Sequence, residues 1–398
     1  MNSDKKICKQ YCTGCGLCQD ILGCKLVLEN SGFKEIDSSN ITKEQIGKLK
    51  QLCPAFGNQC EYMDEEKLWG RRKSIHAAFA SDKSVRYRAS SGGVLTQLAC
   101  YLLDNNLVDG IIHIGKDDKD PIGSKLYCSR TSHDVVSHCG SRYTSSSPFD
   151  GIKELLKSNE KYCFIGKPCD IAILRNWQKM DTSMAEMIPY ALSFFCAGAP
   201  SRNVNLRLLE KIGCSYEKCV DLDYRGNGWP GFTTAIDING KQHKIEYREA
   251  WGKTLGRDIR KICRFCLDGI GELADISCCD AWYLDEYKKP SFEEHSGRNA
   301  VFCRTDKGEK LFRDACKAGY IEEIDYPKLE EDLRFVQYHQ FFKKGSMYSS
   351  ILAMKVMLKP CPQYDLRKMR RLSENISMSL KIKKFGGTIK RIIQGKIS

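Results

Sequence analysis

Three closely spaced cysteines carry the clearest chemistry in the chain. Cys12-Thr-Gly-Cys15-Gly-Leu-Cys18 has the spacing C-x2-C-x2-C. Thiolates so placed wrap one corner of an iron–sulfur cubane, and the intervening turns aim backbone amides at the sulfurs. Ferredoxin-type [4Fe–4S] sites add one remote cysteine, often followed by proline. Cys53-Pro54 fits that part, so Cys12, Cys15, Cys18 and Cys53 form one candidate ligand set.

Two other readings compete for the same residues. A structural zinc site is one, although zinc favours two C-x2–4-C pairs over a continuous triple. The other is radical-SAM chemistry, because Cys8-Lys-Gln-Tyr-Cys12-Thr-Gly-Cys15 is also C-x3-C-x2-C. Against it, Cys18 offers a further ligand, and no strand that could open a barrel precedes the motif.

The chain holds 22 cysteines in 398 residues. That is below the density of short disulfide scaffolds, and a chain of this length needs no staples. Clustered cysteines in a reducing compartment read as metal or redox groups. Cys8, Cys24 and Cys60 accompany the N-terminal set, Cys263-Arg-Phe-Cys266 forms a second C-x-x-C, and Cys278 and Cys279 are adjacent. Cys100, Cys128, Cys163, Cys214, Cys219, Cys303, Cys316 and Cys361 read as small buried hydrophobes.

Composition excludes several classes. With 42% hydrophobic and 28% charged residues the chain is an ordinary globular sequence. The longest apolar-rich stretch, Ile188 to Ala199, is interrupted by Pro189 and Ser193 and is too short for a membrane span. The N-terminus lacks the apolar run of a secretory signal, so a cytoplasmic location is expected. The net charge is +13, but residues 359–398 carry 11 Lys/Arg against 2 Asp/Glu, a net of +9, which leaves +4 elsewhere. The body is therefore no nucleic-acid surface. The basic tail is either solvated or a peripheral contact for a membrane or acidic partner. Neither G-x-G-x-x-G nor a P-loop occurs, and the seven histidines form no H-E-x-x-H.

The elements that position these residues follow from periodicity. Residues 1–70 are cysteine- and turn-rich, an expected ferredoxin-like iron–sulfur segment. Residues 71–345 alternate strand-like and helix-like runs, predicting an α/β core with a mostly parallel or mixed sheet. Helices are predicted over Gly93–Asp104, Phe149–Lys157, Ser201–Ile212 and Asp306–Ala318, the last capped by Thr305 or Asp306 and ended by Gly319. Strands are predicted over Val108–Ile114, Tyr162–Ile165, Met187–Phe195 and Ala300–Cys303. A hairpin joins Phe232–Ile238 to Lys244–Arg248 through Asn239-Gly240. Residues 346–398 form the basic tail. Ser90-Ser91-Gly92-Gly93 precedes a helix, where a phosphate would meet free amides, although serine there is also an ordinary cap.

Five ordered blocks carry a family resemblance. They are Ser90-Ser-Gly-Gly-Val-Leu-Thr-Gln-Leu-Ala, Gly140-Ser-Arg-Tyr-Thr-Ser, Phe164-Ile-Gly-Lys-Pro-Cys169-Asp-Ile-Ala, Phe194-Phe-Cys196-Ala-Gly-Ala-Pro-Ser, and Cys263-Arg-Phe-Cys266-Leu-Asp-Gly-Ile-Gly-Glu-Leu-Ala-Asp. Across roughly residues 75–325 the chain resembles the coenzyme F420 hydrogenase/dehydrogenase beta-subunit family. With the N-terminal cysteines and Cys53-Pro-Ala-Phe-Gly it is similar to the two-cluster branch, which includes 7-hydroxymethyl chlorophyll a reductase. The resemblance implies FAD beside a second [4Fe–4S] cluster. It implies Cys169, Cys196, Cys263 and Cys266 as ligands of that cluster, with Cys278 or Cys279 as rivals for one place. It also implies a cofactor site at Ser90, Ser91, Gly92, Gly93, Arg142, Tyr143, Thr144 and Ser145. Arg142 reads otherwise as a surface ion-pair residue. The loop Tyr224-Arg225-Gly226-Asn227-Gly228-Trp229 lines a substrate pocket or merely turns.

The expected function is an FAD- and [4Fe–4S]-dependent oxidoreductase. Single electrons pass through two clusters to or from FAD, which exchanges hydride with an organic substrate or deazaflavin coenzyme. A ferredoxin-like protein is the expected electron partner, and a homo-oligomer is plausible on this resemblance. The alternative is an electron-transfer subunit of a larger redox complex with no substrate of its own.

Overall fold

The computed structural model describes residues 3–58, 64, 67–395 and 397; Cys60 lies outside them. β1 (Leu26–Leu28) and β2 (Lys34–Ile36) pair as a short antiparallel ribbon. There follow β3 (Ser74–Ala80), β4 (Gly110–Asp117), β5 (Asp120–Ser129), β6 (Tyr162–Gly166) and β7 (Tyr190–Phe194). β8 (Cys219–Asp223), β9 (Phe232–Asp237) and β10 (Gln242–Glu246) make a separate antiparallel sheet. β11 (Ile276–Asp280), β12 (Asn299–Cys303) and β13 (Ile321–Ile324) complete the main sheet.

That main sheet has the order β13-β3-β12-β11-β7-β6-β4-β5. Its centre, β4-β6-β7-β11, is parallel, and antiparallel strands flank it on both sides. The expected α/β class is thus realised as a mixed sheet. Parallel strands covered on both faces must be apolar on both, and β6 and the central three residues of β7 are accordingly buried, save half-buried Ile165. Alternation sorts their side chains. Ile111, Cys163 and Leu192 face one apolar layer with Val94, Leu98, Leu102 and Phe312. Ile112, Phe164 and Ala191 face the other with Ile171, Leu174 and Trp177. Each fully buried leucine here contributes roughly 2 kcal/mol.

The helices form where cap chemistry permits. Val94–Asp104 begins at Gly93, held at φ +78°. The Ser201 hydroxyl accepts the Val204 amide to start Arg202–Ile212, which ends at left-handed Gly213. The Thr305 hydroxyl accepts the Gly308 amide to start Asp306–Lys317. The predicted helix at Phe149–Lys157 shrinks to Ile152–Leu155. The Phe149 amide instead donates to the Cys15 carbonyl at 2.9 Å, and its ring stacks on Phe164. The hairpin forms around Asn239-Gly240, with Gly240 left-handed. Its second strand ends at Glu246, because Arg248–Thr254 coils into a π-helical turn.

The basic C-terminal stretch is folded. Tyr338–Val356 crosses the expected boundary at residue 346, and Leu366–Ser373 and Met378–Ile393 follow. Met347, Ile351, Met354 and Ile392 share one apolar cluster with Ile7, Tyr11, Leu49 and Phe56. No helix among the described residues is long and apolar enough to cross a membrane.

Candidate functional site

The N-terminal cysteines converge. Cys8 sits on the helix Ser3–Gln10, Cys18 on Leu17–Leu22, and Cys53 closes Lys43–Leu52 ahead of the Pro54 turn. Gly14 and Gly16, at φ +71° and +95°, reverse the chain between Cys12 and Cys18. Cys8, Cys12, Cys15, Cys18 and Cys53 thereby line one small cavity, closed by apolar residues such as Leu49, Leu52 and Ile173. Burial pushes the Cys15 thiol up to about 11 and the Cys53 thiol well above its ordinary value. Opposing this, the amides of Gly14 and Ile36 point at Cys12, that of Leu17 at Cys15 and that of Ala55 at Cys53. The Gly14 amide lies 3.3 Å from the Cys12 sulfur. Bare thiols here stay protonated at neutral pH, so several thiolates collect only around a strong positive charge.

Tetrahedral zinc, about 2.3 Å from each sulfur, holds sulfurs about 3.8 Å apart. Among the described residues the one group of three ligand atoms all within 4.8 Å is His76, Cys303 and Glu309. The His76 group is satisfied internally: its Nδ1 meets Glu323 and its Nε2 meets Ser74, each at 2.6 Å.

The second group is assembled by the sheet. Cys169 lies in the first turn of Pro168–Met180, directly after β6, and Cys196 lies two residues after β7. These are adjacent parallel strands, and open α/β sheets place their sites at such carboxyl ends. Cys263, in the turn Lys261–Arg264, and Cys266 come in from the loop ahead of β11. Cys196 and Cys266 both act on Cys169, and Cys263 acts on both Cys196 and Cys266. Burial raises Cys196 to about 11 and Cys266 to about 12. Lys167 and Lys343 oppose it, Lys167 at Cys169 and Cys196, Lys343 at Cys196 and Cys266. The Ala199 amide meets the Cys263 sulfur at 3.4 Å. Cys278 and Cys279 lie on β11, where Cys278 neighbours Cys303 and its carbonyl accepts the Phe195 amide at 2.9 Å, and both line the same cavity as Cys196.

A cavity of about 620 Å³ adjoins this group, with Cys196 in its wall. Ser90, Ser91, Gly93, Arg142, Tyr143 and Thr144 all line it. Two of the expected cofactor residues do not. A Cβ on Gly92 would sit 2.7 Å from Asn299 Oδ1, so Gly92 packs on β12. Ser145 donates to the Pro200 carbonyl at 3.2 Å. Among the described residues Arg142 forms no ion pair. It donates to the carbonyls of Pro121, Gly123 and Leu222, clamping the β5 and β8 region, while its buried Nε has no partner.

Further residues complete the wall, Arg225 among them from the loop read as pocket lining or turn. Arg225, 5% exposed, pairs with Asp280 at 2.7 Å and stacks over Tyr247 and Trp282. Its Nη2 and Asp280 Oδ1 are buried without partners. The signal was the loop Tyr224–Trp229, here turned so that Arg225 reaches the cavity. Lys167, at 2.7 Å from Asp170, also lines it. Cations, serine hydroxyls and a helix N-terminus at one wall, with tryptophan and tyrosine rings at another, suit an anionic aromatic ligand.

Comparison with known proteins fits this arrangement. Models of the coenzyme F420 hydrogenase/dehydrogenase beta subunit match twice, the N-terminal part over residues 75–153 and the C-terminal part over 159–328. The chain belongs to this family of redox subunits. Among its relatives, the coenzyme F420 hydrogenase subunit beta of Methanothermobacter thermautotrophicus is 24% identical over 300 residues, covering 74% of this chain and 99% of the relative. The F420-dependent formate dehydrogenase subunit beta of Methanocaldococcus jannaschii is 27% identical over 239 residues, 59% of this chain and 58% of the relative. A chain in the F420-reducing NiFe hydrogenase complex of Methanosarcina barkeri shares the fold, with TM-score 0.58 and 21% identity over 74% of this chain and 96% of that one. The outer cysteines precede the matched residues.

Proposed function

We propose that the chain is an iron–sulfur flavoprotein oxidoreductase. Cys12, Cys15, Cys18 and Cys53 would hold one [4Fe–4S] cluster, Cys169, Cys196, Cys263 and Cys266 a second, and the cavity FAD. One observation carries this reading: Cys196 belongs to the inner cysteine group and also to the cavity wall. A flavin so held exchanges hydride with a substrate and single electrons with a cluster. The chain's own residues prepare the site. The N-terminus of Val94–Asp104 and the free Arg142 Nε favour phosphate oxygens, and the Arg225–Trp282 wall favours a planar ring. Lys167 and Lys343 offset the charge that four thiolates bring. The names of the relatives support a deazaflavin coenzyme or another organic hydride carrier as substrate. A ferredoxin-like protein would exchange electrons at the outer group, and the basic tail would supply any peripheral membrane contact.

Anaerobic purification with iron, sulfide and flavin measured per chain tests the reading. About eight irons and one FAD support it. Clusters without flavin, even after reconstitution, would overturn it in favour of an electron-transfer subunit with no substrate of its own.

A further inference from the structure

Arg260 ties both cysteine groups together by direct contacts. Its carbonyl accepts the Cys263 amide at 3.0 Å, and its amide donates to the Ala199 carbonyl at 3.1 Å. Ala199 in turn places its amide 3.4 Å from the Cys263 sulfur. The side chain runs the other way. Nη1 reaches the Cys12 carbonyl at 3.4 Å, and the guanidinium lies over the Phe33 ring at 4.8 Å. It is packed so closely against the Cys12–Cys15 turn that a Cβ on Gly14 would fall 2.1 Å from Nη2. The residue is 3% exposed, yet Nε and Nη2 are buried with no hydrogen-bond partner. Glu35 feels the same charge, but neither orphan donor bonds it.

A buried guanidinium with two unmet donors is costly unless an acceptor meets it. The guanidinium is seated on the Cys12–Cys15 turn, with Nη1 on the Cys12 carbonyl and Nη2 against Gly14, so the sulfur acceptors within that turn's reach belong to the outer group. We propose, on the two-cluster reading above, that Arg260 donates its free N–H groups to sulfur of the outer cluster and raises that cluster's reduction potential. Net charge and hydrogen bonds to sulfur are among the terms that set such potentials, and a fixed cation favours the reduced, more negative state. Arg260 is thus a tuning residue for electron entry. Through its backbone it also fixes the approach of the Cys263 turn to the Cys12 turn.

The test is an EPR-monitored redox titration of the intact, anaerobically purified protein. The outer-cluster signal is the one that Cys18→Ser removes. In Arg260→Met both clusters and the flavin are expected to remain. At the potential where the wild-type outer cluster is half reduced, the variant's reduced-to-oxidised ratio is expected to fall about tenfold, the size of one charged hydrogen bond. The inner midpoint stays in place. Arg260→Lys keeps the charge with fewer donors and should move the outer midpoint the same way by less. It also carries the test if the methionine variant fails to assemble. An unshifted outer midpoint in either variant that retains its iron overturns the proposal, as does a shift confined to the inner cluster. A wild-type protein with no cluster at Cys12, Cys15, Cys18 and Cys53 overturns the underlying reading instead, and iron analysis separates the two failures.

Discussion

The outer and inner cysteine groups meet similar demands by opposite means. The outer group takes its cysteines from residues 12–53 and is braced by apolar packing, with Ile7, Tyr11, Leu49, Met347 and Ile351 in one cluster. The inner group collects Cys169, Cys196 and the Cys263–Cys266 pair from three separate segments and is braced by buried charge. Asp268 accepts the amides of Ile270 and Glu272, Glu272 pairs with Lys344 at 2.8 Å, and Arg304 donates to the carbonyls of Ile270, Trp69 and Arg71. Local spacing suffices where the ligands are close in sequence. Where they are not, polar anchors fix each loop in register, because an unmet charge permits no alternative packing.

Breaking one group at a time tests that independence most severely. Cys15→Ser and Cys266→Ser should each remove about four of about eight irons, with only Cys266→Ser also disturbing the flavin spectrum. Cys8→Ser should leave the iron count unchanged, although Cys8 lines the outer cavity, and a loss there would favour the C-x3-C-x2-C ligand set. The next largest effect belongs to the inner brace. Lys344→Met strands Glu272 as a buried carboxylate and should cost about 3–5 kcal/mol in urea denaturation. In the outer brace, Ile351→Ala removes a fully buried side chain and should cost about 3 kcal/mol, lowering outer-cluster occupancy first.

Acid should act on the cavity side. His113 is 7% exposed, and burial, helped by His138, pushes its pKa down to about 4. The unfolded chain binds that proton near pH 6.5, so the contribution is complete above pH 6.5 and is lost as pH falls toward 4. From pH 7 to pH 5 the loss is about 2 kcal/mol, and His113→Asn should erase that slope in denaturation curves. The smallest effect is expected at Ser145. Its hydroxyl serves only the Pro200 carbonyl, so Ser145→Ala should cost about 1 kcal/mol or less and leave flavin content intact.

Sequence legibility divides along the same line. Cys12, Cys15, Cys18 and Cys53 were readable because one turn and one helix end bring them together. Of the inner four, spacing showed only the Cys263–Cys266 pair; Cys169 and Cys196 were joined to it by resemblance alone, since the sheet order that sets β6 beside β7 is invisible in the chain. Capped helices such as Arg202–Ile212 declared themselves through Ser201 and Gly213. The folded C-terminal helices were hidden by their lysines and arginines, because few residues such as Met369, Leu372 and Ile392 turn inward. Within the cofactor block, Arg142, Tyr143 and Thr144 line the cavity, whereas the Ser145 hydroxyl is spent on the Pro200 carbonyl. Composition does not reveal that difference.

The apolar cluster shared by Ile7 and Ile392 has a consequence for biosynthesis. The helices that pack beside the outer cysteines are translated more than three hundred residues after Cys18. At about 5–20 residues per second, those thiols wait roughly 20–75 s before those helices exist. A cluster held by Cys12, Cys15, Cys18 and Cys53, as proposed, would gain its full apolar cover only after those helices have emerged.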